Sequence, residues 1–310
     1  MKIQIATWRP WYNLKVSYDE RVAMYTNAKS SCAIKGVNRN GLYGEDTKLL
    51  FKTPPFKGKS NDDLERLCKI HNIMVDLWVY FYLDNPVGET NALKVAIERW
   101  NPDDVHIDVE SEAKKNKKYT GAWIRALGKV RPRTWLQSYR VPQLHPEINW
   151  TKWLSYIDLN NGGYVIDGIG AQMYPVGWTT IEQWIADFAR ALTQYERICK
   201  TVKRPDMPWF PTLPTFSEHG WTPTADCMAA GIEFLQRELG DRLVGIQFWR
   251  QSFLFKDEFD DILALIYSLD NTPSPPLPPL PTTKPVNQFV IEDVYPGMVD
   301  NWLYHGPMPT

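Results

Sequence analysis

The chain has 310 residues, enough for one large domain or two of ordinary size. Hydrophobic residues make up 44% and charged residues 23%, which is typical of a globular protein with a sizeable core. The formal net charge is −1, so no bulk electrostatic field favours nucleic acid or an anionic membrane as a partner. Aromatic residues are abundant, with 14 Trp, 15 Tyr and 12 Phe, and any that are exposed could stack on apolar faces of sugars.

The N-terminal segment MKIQIATWRPW runs straight into a strand-like pattern and lacks the apolar core of a signal peptide. No apolar run approaches the ~18 residues of a membrane span. The sequence therefore predicts a soluble protein with no membrane partner. The cysteines show neither metal-ligand spacing nor the density of a disulfide scaffold, which predicts buried free thiols. They are Cys32, Cys68, Cys199 and Cys227.

Strand and helix patterns alternate along residues 1–270. The predicted strands are Ile3–Trp8, Cys32–Asn38, Ile73–Tyr82, Val105–Ser111, Thr134–Arg140, Ile166–Tyr174, Trp209–Phe216 and Leu243–Trp249. The predicted helices are Tyr18–Lys29, Asn61–Asn72, Glu89–Trp100, Thr120–Lys129, Asn149–Asp158, Thr180–Lys200, Ala225–Leu239 and Asp257–Leu269. Eight such units match a (β/α)8 barrel, or TIM barrel, in count and size. A doubly wound open sheet is the alternative, but no G-x-G-x-x-G or P-loop follows any strand.

The C-terminal part has a different composition. Residues 271–286 read NTPSPPLPPLPTTKPV, and proline excludes both helix and central strand there. This segment is predicted to be a stiff linker, with an SH3-type ligand as the alternative. Residues 287–310 are too few for a core of their own. The predicted division is thus a barrel over 1–270, the linker, and a tail that packs on the barrel or on a partner, or forms one short repeat.

The predicted fourth strand carries the most informative pattern. In the run VHIDVE, residues 105–110, apolar side chains alternate with His106, Asp108 and Glu110. One face of the strand is therefore apolar and the other ionisable. Asp108 and Glu110 have Cα atoms roughly 6.5 to 7 Å apart at the strand end, and burial can raise one carboxyl pKa while its neighbour stays ionised. Acid catalysis of glycoside cleavage needs that division of labour. His106 is predicted to be a core imidazole bonded to a neighbouring strand.

Other strands send polar or aromatic side chains towards the same end of the predicted barrel. In such barrels, outward positions face helices, and inward positions near the carboxyl ends build the site. The predicted substrate-binding residues are Trp8, Asp76, Trp78, Gln137, Tyr139, Gln172, Tyr174, Gln247 and Trp249. A polar pocket with aromatic walls suits a sugar, which has hydroxyls at its rim and C–H groups on its faces. No His/Cys/Asp cluster has metal-ligand spacing, so neither a metal nor another cofactor is expected.

These residues resemble glycoside hydrolase barrels that carry D-x-E at the end of the fourth strand, with family 25 lysozymes (muramidases) the closest. The similar segments here are IQIATW, CAIKGVN, MVDLWVYFY, NPVGETNALKVA, IDVES and GIQFWRQS. The resemblance implies that Glu110 is the general acid and that Asp108 stabilises positive charge on the sugar. Family 25 enzymes carry a further first-strand aspartate where this chain has Gln4. The alternative is therefore a catalytically inactive barrel with a sugar-binding or structural role.

Family 18 chitinases and endo-β-N-acetylglucosaminidases are nearly as similar. They share a fourth-strand D-G-x-D-x-D-x-E, a sixth-strand Gln-x-Tyr or Met-x-Tyr and an eighth-strand Trp, matched here by Asp103, Asp108, Glu110, Gln172, Tyr174 and Trp249. His106 stands where that pattern has an aspartate. This resemblance implies that Glu110 protonates the leaving oxygen, Asp108 orients the substrate's acetamido group and Tyr174 steadies it.

The sequence therefore predicts a glycoside hydrolase that cleaves a β-linked, N-acetylated polysaccharide, with peptidoglycan as the leading substrate and no nucleic acid partner. The linker, the tail and the lack of a signal peptide would suit a phage lysin released to the cell wall, or a virion-associated protein. The tail would then contact a virion or cell-wall partner. A lyase or isomerase using the same barrel mouth is a further alternative, although no phosphate-binding glycines follow the last two strands.

Overall fold

The computed structural model describes residues 1–7, 18–35, 66, 68–83, 85–130, 132–160, 162–218, 220–250, 253–254 and 256–269. All of them belong to the first of two units into which the chain divides, residues 1–271, and residues 272–310 make up the second. Trp8, the proline-rich linker and the tail therefore lie outside the described residues. The predicted roles of the linker and the tail stay predictions.

Eight parallel strands pair in chain order to form a closed barrel. They are β1 (Lys2–Thr7), β2 (Ser31–Lys35), β3 (Val75–Phe81), β4 (Asp104–Val109), β5 (Arg133–Tyr139), β6 (Gly168–Gln172), β7 (Thr212–Pro214) and β8 (Gly245–Trp249). The barrel closes because β1 pairs with β2 on one side and with β8 on the other. The predicted (β/α)8 fold class is confirmed.

Helices cover the outside of the barrel between strands. In the described ranges the α-helices are α1 (Tyr18–Asn27), α2 (Pro86–Trp100), α3 (Ser111–Lys115), α4 (Thr120–Leu127), α5 (Trp150–Ser155), α6 (Ile181–Thr201), α7 (Ala225–Leu239) and α8 (Asp260–Ser268). Of the predicted helix over 61–72, residues 66 and 68–72 are described; residues 66 and 68–70 are helical, and 71–72 form a turn. None of the described helices has both the length and the apolar character needed to cross a membrane.

One element was not predicted, and it matters for the site. The fourth strand ends at Val109, and α3 begins at Ser111, directly after Glu110. The predicted strand end at Ser111 was therefore wrong by two residues. The polar run that follows the two acids is helical, so its charged side chains are held beside the mouth of the barrel.

The alternation predicted for the strands matches their two faces. Outward residues such as Ile107, Ile169 and Ile246 are fully buried in the main hydrophobic cluster. Burying a side chain of that size stabilises the fold by about 1.5–3 kcal/mol. Among the cysteines whose side chains are described, Cys68 and Cys199 are buried free thiols, as predicted, and so is Cys227.

Two large rings fill the barrel interior because glycines make room for them. Trp135 of β5 and Phe210, just before β7, have ring centroids 5.4 Å apart and are each 1% exposed. A Cβ on Gly168 would collide with the Trp135 ring, and one on Gly245 would collide with the Phe210 ring. The interior is thus a packed core, as in other barrels of this kind.

Candidate active site

Asp108 and Glu110 lie together at the carboxyl end of β4. Asp108 is 2% exposed, whereas Glu110 keeps partial exposure. Gln172, the last residue of β6, donates through Nε2 to Asp108 Oδ1 at 2.9 Å and to Glu110 Oε1 at 2.6 Å. A single amide from across the barrel therefore holds the two carboxyl groups side by side.

The surroundings of the acid pair favour the protonated form of Glu110. Burial raises the pKa of the Glu110 carboxyl, and hydrogen bonds from Gln172 and Asp108 offset part of that rise. Glu110 therefore keeps its proton to a higher pH than an exposed glutamate does, which is the property that a general acid needs.

Three tyrosines surround the pair. Burial raises the pKa of each hydroxyl, and the negative charges of Asp108 and Glu110 raise it further. They are Tyr80 of β3, Tyr139 of β5 and Tyr174 just after β6. Their hydroxyl groups therefore stay protonated and can donate hydrogen bonds. Of these, Tyr139 and Tyr174 were predicted site residues.

Tyr80 and Glu112 were missed by the sequence analysis. The Tyr80 hydroxyl donates to Glu112, which also accepts from Ser111 Oγ at 2.7 Å. Tyr80 has the same strand parity as Trp78, and that parity was a signal that could have identified it. Glu112 lies on α3, whose helical form the polar run did not indicate.

The predicted tryptophans Trp78 and Trp249 are brought together. Their ring centroids are 4.8 Å apart, and with Ala6 they belong to a small cluster separate from the main core. Trp78 is 4% exposed, while Trp249, at the end of β8, keeps partial exposure. The Trp249 ring is therefore accessible to a ligand, and the buried Trp78 ring packs against it.

Gln137 and Gln247, which were predicted to bind substrate, lie behind the site. Gln137 donates to Gln247 Oε1 at 2.7 Å and to Thr212 Oγ1 at 2.9 Å, and Gln247 donates to Gln4. Gln137 is 1% exposed and Gln247 is fully buried. The structure does not bring them to the mouth, because these amides satisfy one another inside the barrel.

His106 belongs to the same buried layer. Its Nδ1 lies 3.2 Å from Gln137 Nε2 and its Nε2 lies 3.1 Å from Gln4 Nε2. Burial, with a smaller effect from the charges of Lys2 and Arg133, lowers the pKa of His106 to about 3, against the raising effect of Asp104. The ring is therefore neutral near pH 7, and the prediction of a core imidazole bonded to a neighbouring strand is confirmed.

The prediction that Asp76 binds substrate needs correction, because Asp76 lies at the opposite end of the barrel from Glu110. Lys2 Nζ is 2.6 Å from Asp76 and 2.8 Å from Asp104, and Asp104 also pairs with Arg133 at 2.8 Å. Burial raises the pKa of Asp76 to about 6, against the lowering effect of Lys2. Strand parity gave the correct face of β3 but not the height of the residue along the barrel axis.

A small cavity adjoins the acids on the β5 side. Its volume is about 80 Å³. Its lining includes Tyr139, Gln172, Tyr174, Arg140, Leu144 and His145. The His145 ring stacks on Tyr139 with centroids 3.6 Å apart. Within the described ranges, no group of three or more His, Cys, Asp or Glu side chains is placed to hold a metal ion.

The barrel is similar to several solved enzyme structures. The spore cortex-lytic enzyme SleL of Bacillus cereus aligns with 86% of this chain and 73% of its own, at 12% identity and a TM-score of 0.55. A GH18 chitinase from Pseudoalteromonas aurantia aligns over 86% of this chain and 100% of its own, also at 12% identity and 0.55. A chitinase from Chromobacterium violaceum aligns over 86% and 97%, at 10% identity and 0.55.

These structural similarities establish the fold of the chain. The chain has a TIM-barrel fold of the kind found in glycoside hydrolases. No protein-family model matches the chain, and neither does any curated protein sequence. The similarity to family 25 lysozymes remains a resemblance in sequence, since the structures described above are chitinases and a cortex-lytic enzyme.

Proposed function

We propose that this barrel is a glycoside hydrolase that cleaves a β-linked, N-acetylated polysaccharide, with peptidoglycan as its leading substrate. The observation that carries the proposal is the acid pair held by one amide, with Gln172 2.9 Å from Asp108 and 2.6 Å from Glu110. The raised pKa of Glu110 supports a role as proton donor. The fold, shared with chitinases and a cortex-lytic enzyme, is compatible with that chemistry.

The proposed reaction has two steps. In the first, Glu110 gives its proton to the leaving glycosidic oxygen as that bond to the anomeric carbon breaks. The carbonyl oxygen of the substrate's own acetamido group attacks the anomeric carbon, while Asp108 orients that group and Tyr174 steadies it. In the second step, the Glu110 carboxylate takes a proton from water, and the hydroxide oxygen opens the cyclic intermediate. This is the substrate-assisted route, which needs no carboxylate nucleophile.

The aromatic and hydroxyl groups at the mouth support a sugar as the ligand. Trp249 can stack on the C–H face of a pyranose ring, and the hydroxyl groups of Tyr139 and Tyr174 stay protonated as donors. Gln172 is 9% exposed, so most of its hydrogen-bonding capacity is used on the two acids. The site is thus already organised before a ligand binds.

The test is the Glu110→Gln variant, assayed on cell walls by turbidity and on chitin by release of reducing ends. We expect a loss of about 1,000-fold in rate, with a melting temperature within about 4 °C of the parent protein. The parent protein should lose activity as pH rises through the Glu110 pKa, because the acid must be protonated. Since burial raises that pKa, this limb should lie above the usual value of 4.5.

Retained hydrolysis in Glu110→Gln would remove Glu110 from the mechanism. Binding of either polymer by the parent protein without any product release would instead favour the inactive sugar-binding barrel. Binding isotherms with the same polymers, measured beside the two assays, separate these outcomes.

A further inference from the structure

Two cationic side chains that the proposed reaction does not use lie at the mouth of the barrel. Lys114 lies on α3, four residues after Glu110, and its Nζ is 4.5 Å from the centroid of the Tyr139 ring. It is partly buried, and burial lowers the pKa of its ammonium group, against the raising effects of Glu147 and Glu110. Among the described residues Lys114 forms no ion pair.

A second cation faces the same place. Arg140, directly after β5, lines the cavity of about 80 Å³ and lies 2.6 Å through Nε from the buried Asp187 carboxylate. Burial, and then the charges of Lys114 and Arg140, lower the pKa of His145 to about 3. The Nδ1 atom of His145 is buried and has no hydrogen-bond partner among the described residues.

We propose that this cavity, with Lys114 beside it, is a subsite for a carboxylate substituent of the glycan, and that Lys114 and His145 determine specificity for an anionic N-acetylated polymer. The inference rests on the proposed function and deepens it. The cavity is well below the roughly 300–1,000 Å³ of a whole-ligand pocket, so it has room for a substituent rather than a chain. Chitin is neutral, whereas the glycan strand of peptidoglycan carries a lactyl ether on every second sugar, and its carboxyl group is a free carboxylate wherever no stem peptide is attached.

The physical reason is that Lys114, on this side of the mouth, has no ion-pair partner among the described residues. A partly desolvated ammonium without an ion pair gains more from a ligand anion than a fully hydrated lysine does. His145 Nδ1, when it carries the ring proton, can donate to the same carboxylate. Glu110, in the protonated form that its surroundings favour, does not repel the anion. Gln172 lines this cavity and also donates to Glu110. The subsite therefore lies next to the glycosidic bond that Glu110 would protonate.

The experiment measures binding of two probes to the full chain carrying Glu110→Gln, so that neither probe is cleaved. The neutral probe is an N-acetylglucosamine tetramer, and the other is a peptidoglycan glycan tetramer of equal length that retains its lactyl carboxylates. Lys114→Gln should weaken binding of the carboxylate probe about tenfold and of the neutral probe less than about twofold. Lys114→Arg should restore most of the loss, because it keeps the charge.

Two further variants separate a specific role from general effects. Lys115→Gln removes the same charge from an exposed neighbour on α3, and it should leave both affinities within about twofold. His145→Phe keeps a ring to stack on Tyr139 but removes the nitrogen, and it should weaken the carboxylate probe alone, by about threefold.

Equal losses on both probes, no loss in Lys114→Gln, or the same loss in Lys115→Gln would overturn the subsite. Hydrolysis by the parent protein is measured separately on both tetramers. If it cleaves them while Lys114→Gln does not change their relative affinity, the inference fails and the proposed function stands. If the parent protein neither binds nor cleaves either tetramer, both are overturned.

Discussion

Asp104 and Glu110, at the two ends of the barrel interior, have pKa values shifted in opposite directions. At the amino end, Asp104 is fully buried but pairs with Lys2 and Arg133, and these cations hold its pKa below the usual value although burial opposes them. At the carboxyl end of the same strand, Glu110 has an amide and another acid as its nearest partners, and its pKa is raised. Both acids follow the same alternation along β4, so the difference comes from their surroundings.

Under the proposed function, the comparison separates an acid that stabilises the fold, Asp104, from one that donates a proton, Glu110. Removing a carboxylate from water costs several kcal/mol, which a cation at hydrogen-bonding distance can offset. Asp104 has Lys2 and Arg133 at that distance, and its ion pairs stabilise the fold. Glu110 has no such cation at hydrogen-bonding distance among the described residues, so its pKa is raised. A carboxyl group that keeps its proton can donate it to a substrate. The predictions below test this contrast, from the largest expected effect to the smallest.

The Asp108→Asn variant tests the acid pair at the carboxyl end of the barrel. We expect kcat/KM to fall by about 1,000-fold, equivalent to about 4 kcal/mol, because a neutral amide cannot stabilise positive charge on the acetamido group. The melting temperature should change little, since asparagine can still accept from Gln172. Steady-state kinetics and thermal unfolding of the same preparation measure both. A large fall in stability with unchanged kinetics would assign Asp108 to the structure instead.

Asp104→Asn tests the amino end with the same chemical change. We expect the free energy of unfolding to fall by about 2–4 kcal/mol, because Lys2 and Arg133 lose the charge that offsets their own burial. The value should lie below that of a fully buried pair, since the Arg133 side chain is 54% exposed. Denaturant titration measures the loss, and kcat/KM should stay within about twofold of the parent value. Asp103→Asn, at an exposed neighbouring position, is the control and should change stability by no more than about 0.5 kcal/mol.

His106→Gln tests the layer between the two ends through its pH dependence. The pKa of His106 is about 3 in the folded chain and near 6.5 when unfolded. The unfolded chain therefore binds the extra proton as pH falls below 6.5, and stability decreases in that direction. Between pH 7 and pH 5 the parent protein should lose about 2 kcal/mol relative to the variant. The raised pKa of Asp76 acts in the opposite direction, but it is present in both proteins and cancels in the difference.

Denaturant titrations of both proteins at the two pH values give that difference. Parallel pH dependence would mean that the imidazole is charged in the folded protein, and it would remove the contrast between a neutral middle layer and the titrating acids above it.

Much of the fold could be predicted from the sequence, because alternating strands and capped helices are local patterns. α7 spans the predicted residues Ala225–Leu239, and α6 begins at Ile181 after a capping box between Thr180 and Gln183. The apolar residues of β4 indicated its outward face correctly. These features depend on neighbours within about four residues, which a sequence displays directly.

The candidate site was predictable only in part, because it depends on register and on contacts distant in the chain. Asp76 has the inward parity of a site residue, but its height was set by the pairing of Ala33 with Asp76 and by the ion pair with Lys2. Lys114 and His145 carry no periodic signal, since one lies on a short helix and the other in a loop. Their contacts with Tyr139 join segments that local patterns do not connect.

The sealed amino end also bears on how a polymer would be handled. Lys2, Asp76 and Asp104 close the floor, and the rings of Trp135 and Phe210 fill the space above it. Within the described residues, this packing closes the amino end of the barrel interior. Under the proposed function, a long glycan would lie across the carboxyl end, and each cleaved fragment would leave from that same side. Turnover on long chains would then be governed by escape of the fragments as much as by bond breaking.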